Sequence, residues 1–193
     1  MIHTYIPYAP KDKDFDLGWA YNNFMEMVND DDWVLFLDHD ATFTTKYWYH
    51  QVTDIIEANP EYGAFTAITN RIGNSSFQKL EGVDENNHDI KYHRKIGSHL
   101  QEQYQNEVML YPTHRHLSGV IILVSKKTWE QIGGFTYGFL GVDNIFHKKC
   151  REHNIPVGIA KGLYVYHWYR GNGDTNHIDK SMSLHGNAYF RER

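Results

Sequence analysis

A chain of 193 residues with a formal net charge of −5 suits one domain with a full hydrophobic core. Its Lys and Arg residues are scattered, so it carries no basic footprint for a nucleic-acid backbone. The single cysteine, Cys150, excludes an internal disulfide and a thiolate metal cluster and points to a reducing compartment. The N-terminus "MIHTYIPYAP" lacks the basic leader of a secretion signal, and the longest apolar run, "VIILV" at 120–124, is too short to cross a bilayer. The expected location is the cytoplasm, with any membrane contact peripheral.

In chain order, "IHTYIPY" (2–8) is rich in β-formers and reads as a first strand, followed by a charged loop. Residues 16–29 set Leu17, Tyr21, Phe24 and Val28 on one helical stripe behind Asp16, a candidate N-cap. After an acidic turn, "WVLFLD" (33–38) is a continuous apolar run, the pattern of a central strand covered on both faces. Residues 45–63 predict a helix stopped at Asn59-Pro60, and 64–72 another strand. From 74 to 115 the chain turns polar and offers only a short helix near 96–108, so it reads as an excursion over one face. "HLSGVIILVSKKTWEQIGGF" predicts a buried strand, a short helix and a Gly-Gly turn. A helix over 141–154 begins near Asp143, and 156–169 yields one or two strands. The tail from Arg170 is Gly- and Asn-rich and reads as partly mobile. Strands alternating with helices imply an α/β layer architecture.

The chemistry concentrates in "VLFLDHDATF" (34–43). Two carboxylates, Asp38 and Asp40, close an apolar strand at the end where α/β sheets bind ligands. Such close charges repel and raise at least one pKa unless a cation lies between them. The hard ions Mn2+ and Mg2+ suit oxygen ligands and bridge carboxylates to phosphates. Residues i and i+2 of a strand face the same way, so Asp38 and Asp40 can address one ligand while His39 points elsewhere. The plainer reading is a solvated turn with capping carboxylates. A rival zinc site at His114 and His116 lacks both cysteine partners and a His-Glu-x-x-His helix.

"DDDWVLFLDHDATF" resembles the strand and Asp-x-Asp signature of GT-A-type glycosyltransferases, particularly family 2. "LSGVIILVSKKTWEQIGGFTYGFLGVDNIFHKKCREHN" (117–154) is similar to that family's glycine-strand, Gly-Gly-Phe and acidic-helix module, and "YVYHW" (164–168) to its metal-shell strand. The resemblance spans roughly residues 2–8, 16–72 and 117–168. It implies a three-layer α/β/α sandwich with a mixed, mainly parallel central sheet. Within it, Asp38, Asp40 and His167 would hold Mn2+ or Mg2+ on the diphosphate of a nucleotide-sugar. Asp143 would be the catalytic base of an inverting reaction, Gly119 would leave room for the donor sugar, and Arg170 would pair with a phosphate. Thr4, Pro7, Tyr8, Asp16, Gly18, Asn22 and His39 complete the donor-binding set so implied. Relatives commonly insert a further strand and helix, with an acidic residue that reads the base, where this chain runs directly from "IPYAPKDKD" into "DLGWAYN". Val142 stands where the family usually has Glu.

The expected organisation is a single catalytic domain over 1–193. Residues 1–72 would form a nucleotide and metal half, 74–115 an acceptor-side excursion, 116–170 a donor-sugar and catalytic half, and 171–193 the tail. The expected reaction moves a sugar from a nucleoside diphosphate of the UDP or GDP type to a carbohydrate or other hydroxyl acceptor. The alternatives are nucleotidyl transfer onto a sugar phosphate and a non-catalytic binding module.

Overall fold

The computed structural model describes residues 1–73 and 77–168, so the expected role of Arg170 and the tail lie outside the described residues. The elements are β1 (Ile2–Tyr5), a 3-10 turn (Lys11–Lys13), α1 (Leu17–Met27), β2 (Trp33–Leu37), β3 (Ala41–Phe43), α2 (Trp48–Ala58) and β4 (Ala64–Thr69). Then come α3 (Ile90–Tyr104), β5 (Val108–Leu110), β6 (Ile121–Ser125), α4 (Lys126–Gln131), α5 (Val142–Glu152) and β7 (Val157–His167).

Among the described residues the strands form one seven-stranded sheet in the order β1-β2-β6-β4-β7-β3, with β5 also paired to β7. β1, β2, β4 and β7 run one way, and β3, β5 and β6 run against them. The continuous apolar run of β2 follows from cover on both faces. Val34 and Phe36 pack with Tyr21 and Met25 of α1 and Phe146 and Cys150 of α5. Leu35 and Leu37 pack with Val52 and Ile55 of α2 on the other side. Full burial of each such side chain stabilises the fold by roughly 1.5–3 kcal/mol. This is the mixed α/β/α architecture that the family resemblance implied.

Helix α1 forms as expected: Asp16 caps it by accepting from the Trp19 amide at 2.7 Å, and the stripe through Tyr21 and Val28 is buried. Helix α2 starts three residues later than the sequence suggests. Residues 41–43 are drawn into an antiparallel ladder with β7, and the Thr44 hydroxyl donates to the Tyr164 carbonyl at 2.7 Å.

Residues 74–115 do more than cross one face. They contribute the 15-residue helix α3 and the strand β5, both packed on β7. Helix α3 is polar on average because its buried residues are His93, Gly97 and Leu100. His93 satisfies both ring nitrogens, on the Tyr164 hydroxyl at 2.8 Å and the Asn87 carbonyl at 2.6 Å. Gly97 permits close approach, since a Cβ there would lie 2.1 Å from Thr44 Oγ1. Polar and bare positions thus do the work that apolar periodicity does elsewhere.

The C-terminal strand is a single 11-residue β7. Its register against β4 slips between Ala67, opposite Ala160, and Ile68, opposite Tyr164. That irregularity lets the first half of β7 pair with β5 and the second half with β3.

Candidate metal centre and active site

Three chain segments meet at one edge of the sheet. Asp38 follows β2 directly, and its amide donates to the Val120 carbonyl at 3.0 Å, fixing it beside the start of β6. Two residues on, the β3–β7 ladder pairs Ala41 with His167, and the Trp168 amide donates to the Asp40 carbonyl at 3.0 Å. His167 Nε2 consequently lies 3.1 Å from Asp40 Oδ1 and 3.8 Å from Asp38 Oδ2. One ligand atom from each of the three residues falls within 4.8 Å of the others.

The ring orientation is set from behind. His167 Nδ1 lies 2.8 Å from the Arg71 carbonyl, which can only accept, so Nδ1 carries a proton. Nε2 then faces two carboxylates, and a proton or a cation must lie between them. Burial pushes the Asp38 carboxyl up to about 6, with Asp40 and Asp143 adding to the rise against the His167 and His39 rings. Burial also raises Asp40, but the hydrogen bond and charge of His167 prevail and hold it below the ordinary carboxylate value. Two carboxylate oxygens and an imidazole nitrogen whose far side is locked by a carbonyl are a donor set that fits a divalent ion.

Asp143 sits in the first turn of α5 without capping it; the N-cap is Gly141, at φ 74°. Its Oδ2 accepts from the Gly119 amide at 2.8 Å, and its Oδ1 from the Asn144 amide at 2.8 Å. Burial raises its pKa against those hydrogen bonds. Beneath both acids lies the buried Tyr21, whose hydroxyl is held well above its ordinary pKa by burial and then by the charges of Asp38 and Asp143. The neighbouring Asn144 Oδ1 is buried without a hydrogen-bond partner among the described residues.

The structure therefore brings together Asp38, Asp40 and His167, with Asp143 in electrostatic reach of Asp38. Gly119 faces Asp143 itself: a Cβ there would lie 3.2 Å from both Asp143 Cβ and Oδ2. His39 is exposed between the two acids. β1 runs parallel to β2 with Tyr5 opposite Phe36, so Pro7 and Tyr8 emerge on the Asp38 edge, where Tyr8 is 72% exposed. Thr4 is an exposed residue near the end of β1.

Three expected donor residues are occupied otherwise. The Asp16 carboxylate holds the Trp19 and Gly138 amides. A Cβ on Gly18 would lie 1.9 Å from the Thr136 carbonyl oxygen. Asn22 is buried and donates to the Phe135 carbonyl while accepting from the Phe135 amide and Trp129 Nε1, all at 2.8–2.9 Å. These contacts fasten α1 to the turn after α4. His114 and His116 are exposed, and among the described residues they join no group able to hold a metal.

Sequence reasoning passed over Asn70 and Gln78, both fully buried and bonded to the segments that carry His167 and Gly119. An isolated amide in a polar stretch gives no periodic signal that could have found them.

A mixed sheet between helices, with an acidic pair at a strand end, defines an α/β fold of the GT-A kind. The model of one family, described as glycosyl transferase family 2, matches residues 6–133, and the chain belongs to that family. The matched region includes Asp38, Asp40 and Gly119; Asp143 and His167 follow it. No curated protein matches the chain. Among the described residues no helix is long and apolar enough to cross a membrane.

Proposed function

We propose that the protein is a metal-dependent glycosyltransferase that moves a sugar from a nucleoside diphosphate to an acceptor hydroxyl with inversion. The observation that carries this reading is the convergence of Asp38 and Asp40 from the β2–β3 turn with His167 from the end of β7, with Asp143 close enough to act on Asp38. Mn2+ or Mg2+ held by Asp38, Asp40 and His167 supplies Lewis-acid stabilisation for the charge of the leaving diphosphate.

Asp143 acts as general base. Its carboxylate is aimed by the Gly119 and Asn144 amides, and burial makes it a stronger base than an exposed aspartate. As the acceptor oxygen bonds to the anomeric carbon, its proton passes to Asp143 and the anomeric carbon–oxygen bond to the diphosphate breaks. Attack from the face opposite the leaving group inverts the centre. The exposed Tyr8 and the half-buried Pro7, beside Asp38, are the groups available to the base of a UDP- or GDP-type donor. The acceptor is a carbohydrate or another hydroxyl compound.

The test is to incubate the protein with Mn2+ and a panel of UDP- and GDP-sugars and to follow release of the nucleoside diphosphate with and without candidate acceptors. Release is expected with at least one donor, and Asp143→Asn is expected to bind that donor while losing acceptor-dependent release. An Asp143→Asn variant that transfers at the wild-type rate would remove the base from this scheme.

A further inference from the structure

The metal half of the site lies at the ends of β2 and β7, the base half joins α5 to the segment before β6, and both are tied to the C-terminal end of β4. Pairing of β4 with β7 ends at Thr69, opposite Val165. The next residue, Asn70, is wholly buried and extends the ladder with its side chain. Its Nδ2 donates to the His167 carbonyl at 3.1 Å, and its Oδ1 accepts from the His167 amide at 2.8 Å. The Arg71 carbonyl then receives the ring Nδ1 proton. Residues 70 and 71 thus hold both the backbone and the imidazole of His167. A planar amide offers one donor and one acceptor side by side, which matches a backbone C=O and N–H.

Gln78 plays the corresponding part on the other half. It is also wholly buried, and its backbone is stitched to the same Thr69: the Thr69 amide donates to the Gln78 carbonyl at 2.7 Å, and the Leu80 amide to the Thr69 carbonyl at 2.9 Å. Its Oε1 accepts from the Ser118 amide at 2.8 Å and the Tyr111 hydroxyl at 3.1 Å. Its Nε2 donates to the Ser118 carbonyl at 3.0 Å and to Thr66 Oγ1 at 2.7 Å. The next residue after Ser118 is Gly119, whose amide aims Asp143.

We infer that Asn70 and Gln78 are positioning residues, Asn70 for the metal ligand His167 and Gln78 for the Gly119–Asp143 base. Thr69 lies between them as the common anchor that fixes the separation of the two halves. The inference rests on the function proposed above, but its predicted signature is a split that holds whether or not transfer is observed. General loss of packing would disturb both halves together, whereas positioning disturbs one half per variant.

The experiment compares wild type with Asn70→Ala and Gln78→Met, each first confirmed as folded by circular dichroism; Asn70→Ser and Gln78→Leu replace any variant that fails to fold. Three quantities are read: the ring tautomer of His167 by nitrogen-detected NMR without metal, Mn2+ affinity by EPR of the free ion, and hydrogen-exchange protection of the Gly119 amide. Asn70→Ala is expected to lose the single Nδ1–H tautomer and to weaken Mn2+ binding about 10- to 100-fold, the usual effect of removing a group that orients a ligand. It should leave Gly119 protected. Gln78→Met is expected to deprotect Gly119 and leave both His167 and Mn2+ binding as in wild type. Folded variants that match wild type in all three quantities, or that shift all three together, would overturn the inference. A wild-type protein that binds no Mn2+ would count against the proposed function alone, because the ring tautomer and the Gly119 amide still report on positioning.

Discussion

His167 Nε2 lies 3.1 Å from Asp40 Oδ1, although 127 residues separate the two in sequence. The contact exists because the three-residue strand β3 pairs with the end of β7 and brings the residue after the Asp38 turn against the last residue of the sheet. The geometry of the acidic pair is therefore a property of the β3–β7 ladder as much as of the motif itself. Replacing His167 by Ala should weaken Mn2+ binding by at least about tenfold while Asp38 and Asp40 stay in place. Isothermal titration with Mn2+ measures this, and an unchanged affinity would exclude His167 from the donor set.

Gly119→Ala probes the contact between strand and base. The added methyl would lie 3.2 Å from Asp143 Cβ and Oδ2, tighter than ordinary packing, so the carboxylate must shift. A stability loss of about 1–3 kcal/mol is expected from the crowding. A misplacement of about 1 Å can cost on the order of 100-fold in turnover, so the smaller shift required here should lower turnover by less than that. Denaturant unfolding together with donor turnover checks both, and full turnover would show that the orientation of Asp143 is not limiting.

Asn22→Ala separates structure from donor binding. The substitution strands the Phe135 amide and carbonyl and Trp129 Nε1, and each buried group left unpaired costs about 1–3 kcal/mol. The variant should melt well below wild type and, once folded at low temperature, bind nucleoside diphosphate with unaltered affinity. A selective loss of nucleotide binding at unchanged stability would return Asn22 to the donor site.

The contacts of Asn22 show where local sequence information runs out. Strand β2 announces itself by a continuous apolar run, helix α1 by apolar periodicity, and Asp38 and Asp40 by their i, i+2 spacing at a strand end. The approach of Gly18 to Thr136, the capture of Asn22 by the Gly-Gly-Phe turn and the pairing of β3 with β7 are long-range contacts with no local signature. Helix α3 was underestimated because its core face is built from His93 and Gly97, residues that count as polar or neutral until their partners are known. Asn70 and Gln78 escaped for the same reason.

His147 makes the fold sensitive to acid. Burial, aided by the nearby Arg151 charge, lowers its pKa from 6.5 to about 4 despite a hydrogen bond to the Arg115 backbone; its ring packs edge-on to Tyr111 at 4.9 Å. Below pH 6.5 the unfolded chain takes up a proton that the folded chain refuses, so stability from this group falls as pH drops from 6.5 toward 4. The contribution lost is on the order of 2 kcal/mol. Chemical unfolding of wild type and His147→Phe between pH 7 and pH 4.5 isolates it. The wild type should lose more stability over that window than the variant, and parallel curves would show that His147 does not titrate in this way.

The central claim is that Asp38, Asp40 and His167 hold a divalent ion to which the diphosphate of the donor binds. Thermal unfolding in the presence of Mn2+, UDP or GDP, and both together tests it most directly, since a ligand that binds only the folded state raises its stability by mass action, by about 2.7 kcal/mol at a hundredfold excess over Kd. The account predicts stabilisation by at least one nucleoside diphosphate that requires Mn2+ and vanishes in Asp40→Ala. No stabilisation of the wild type by either nucleotide with Mn2+ present, or equal stabilisation in Asp40→Ala, would contradict it.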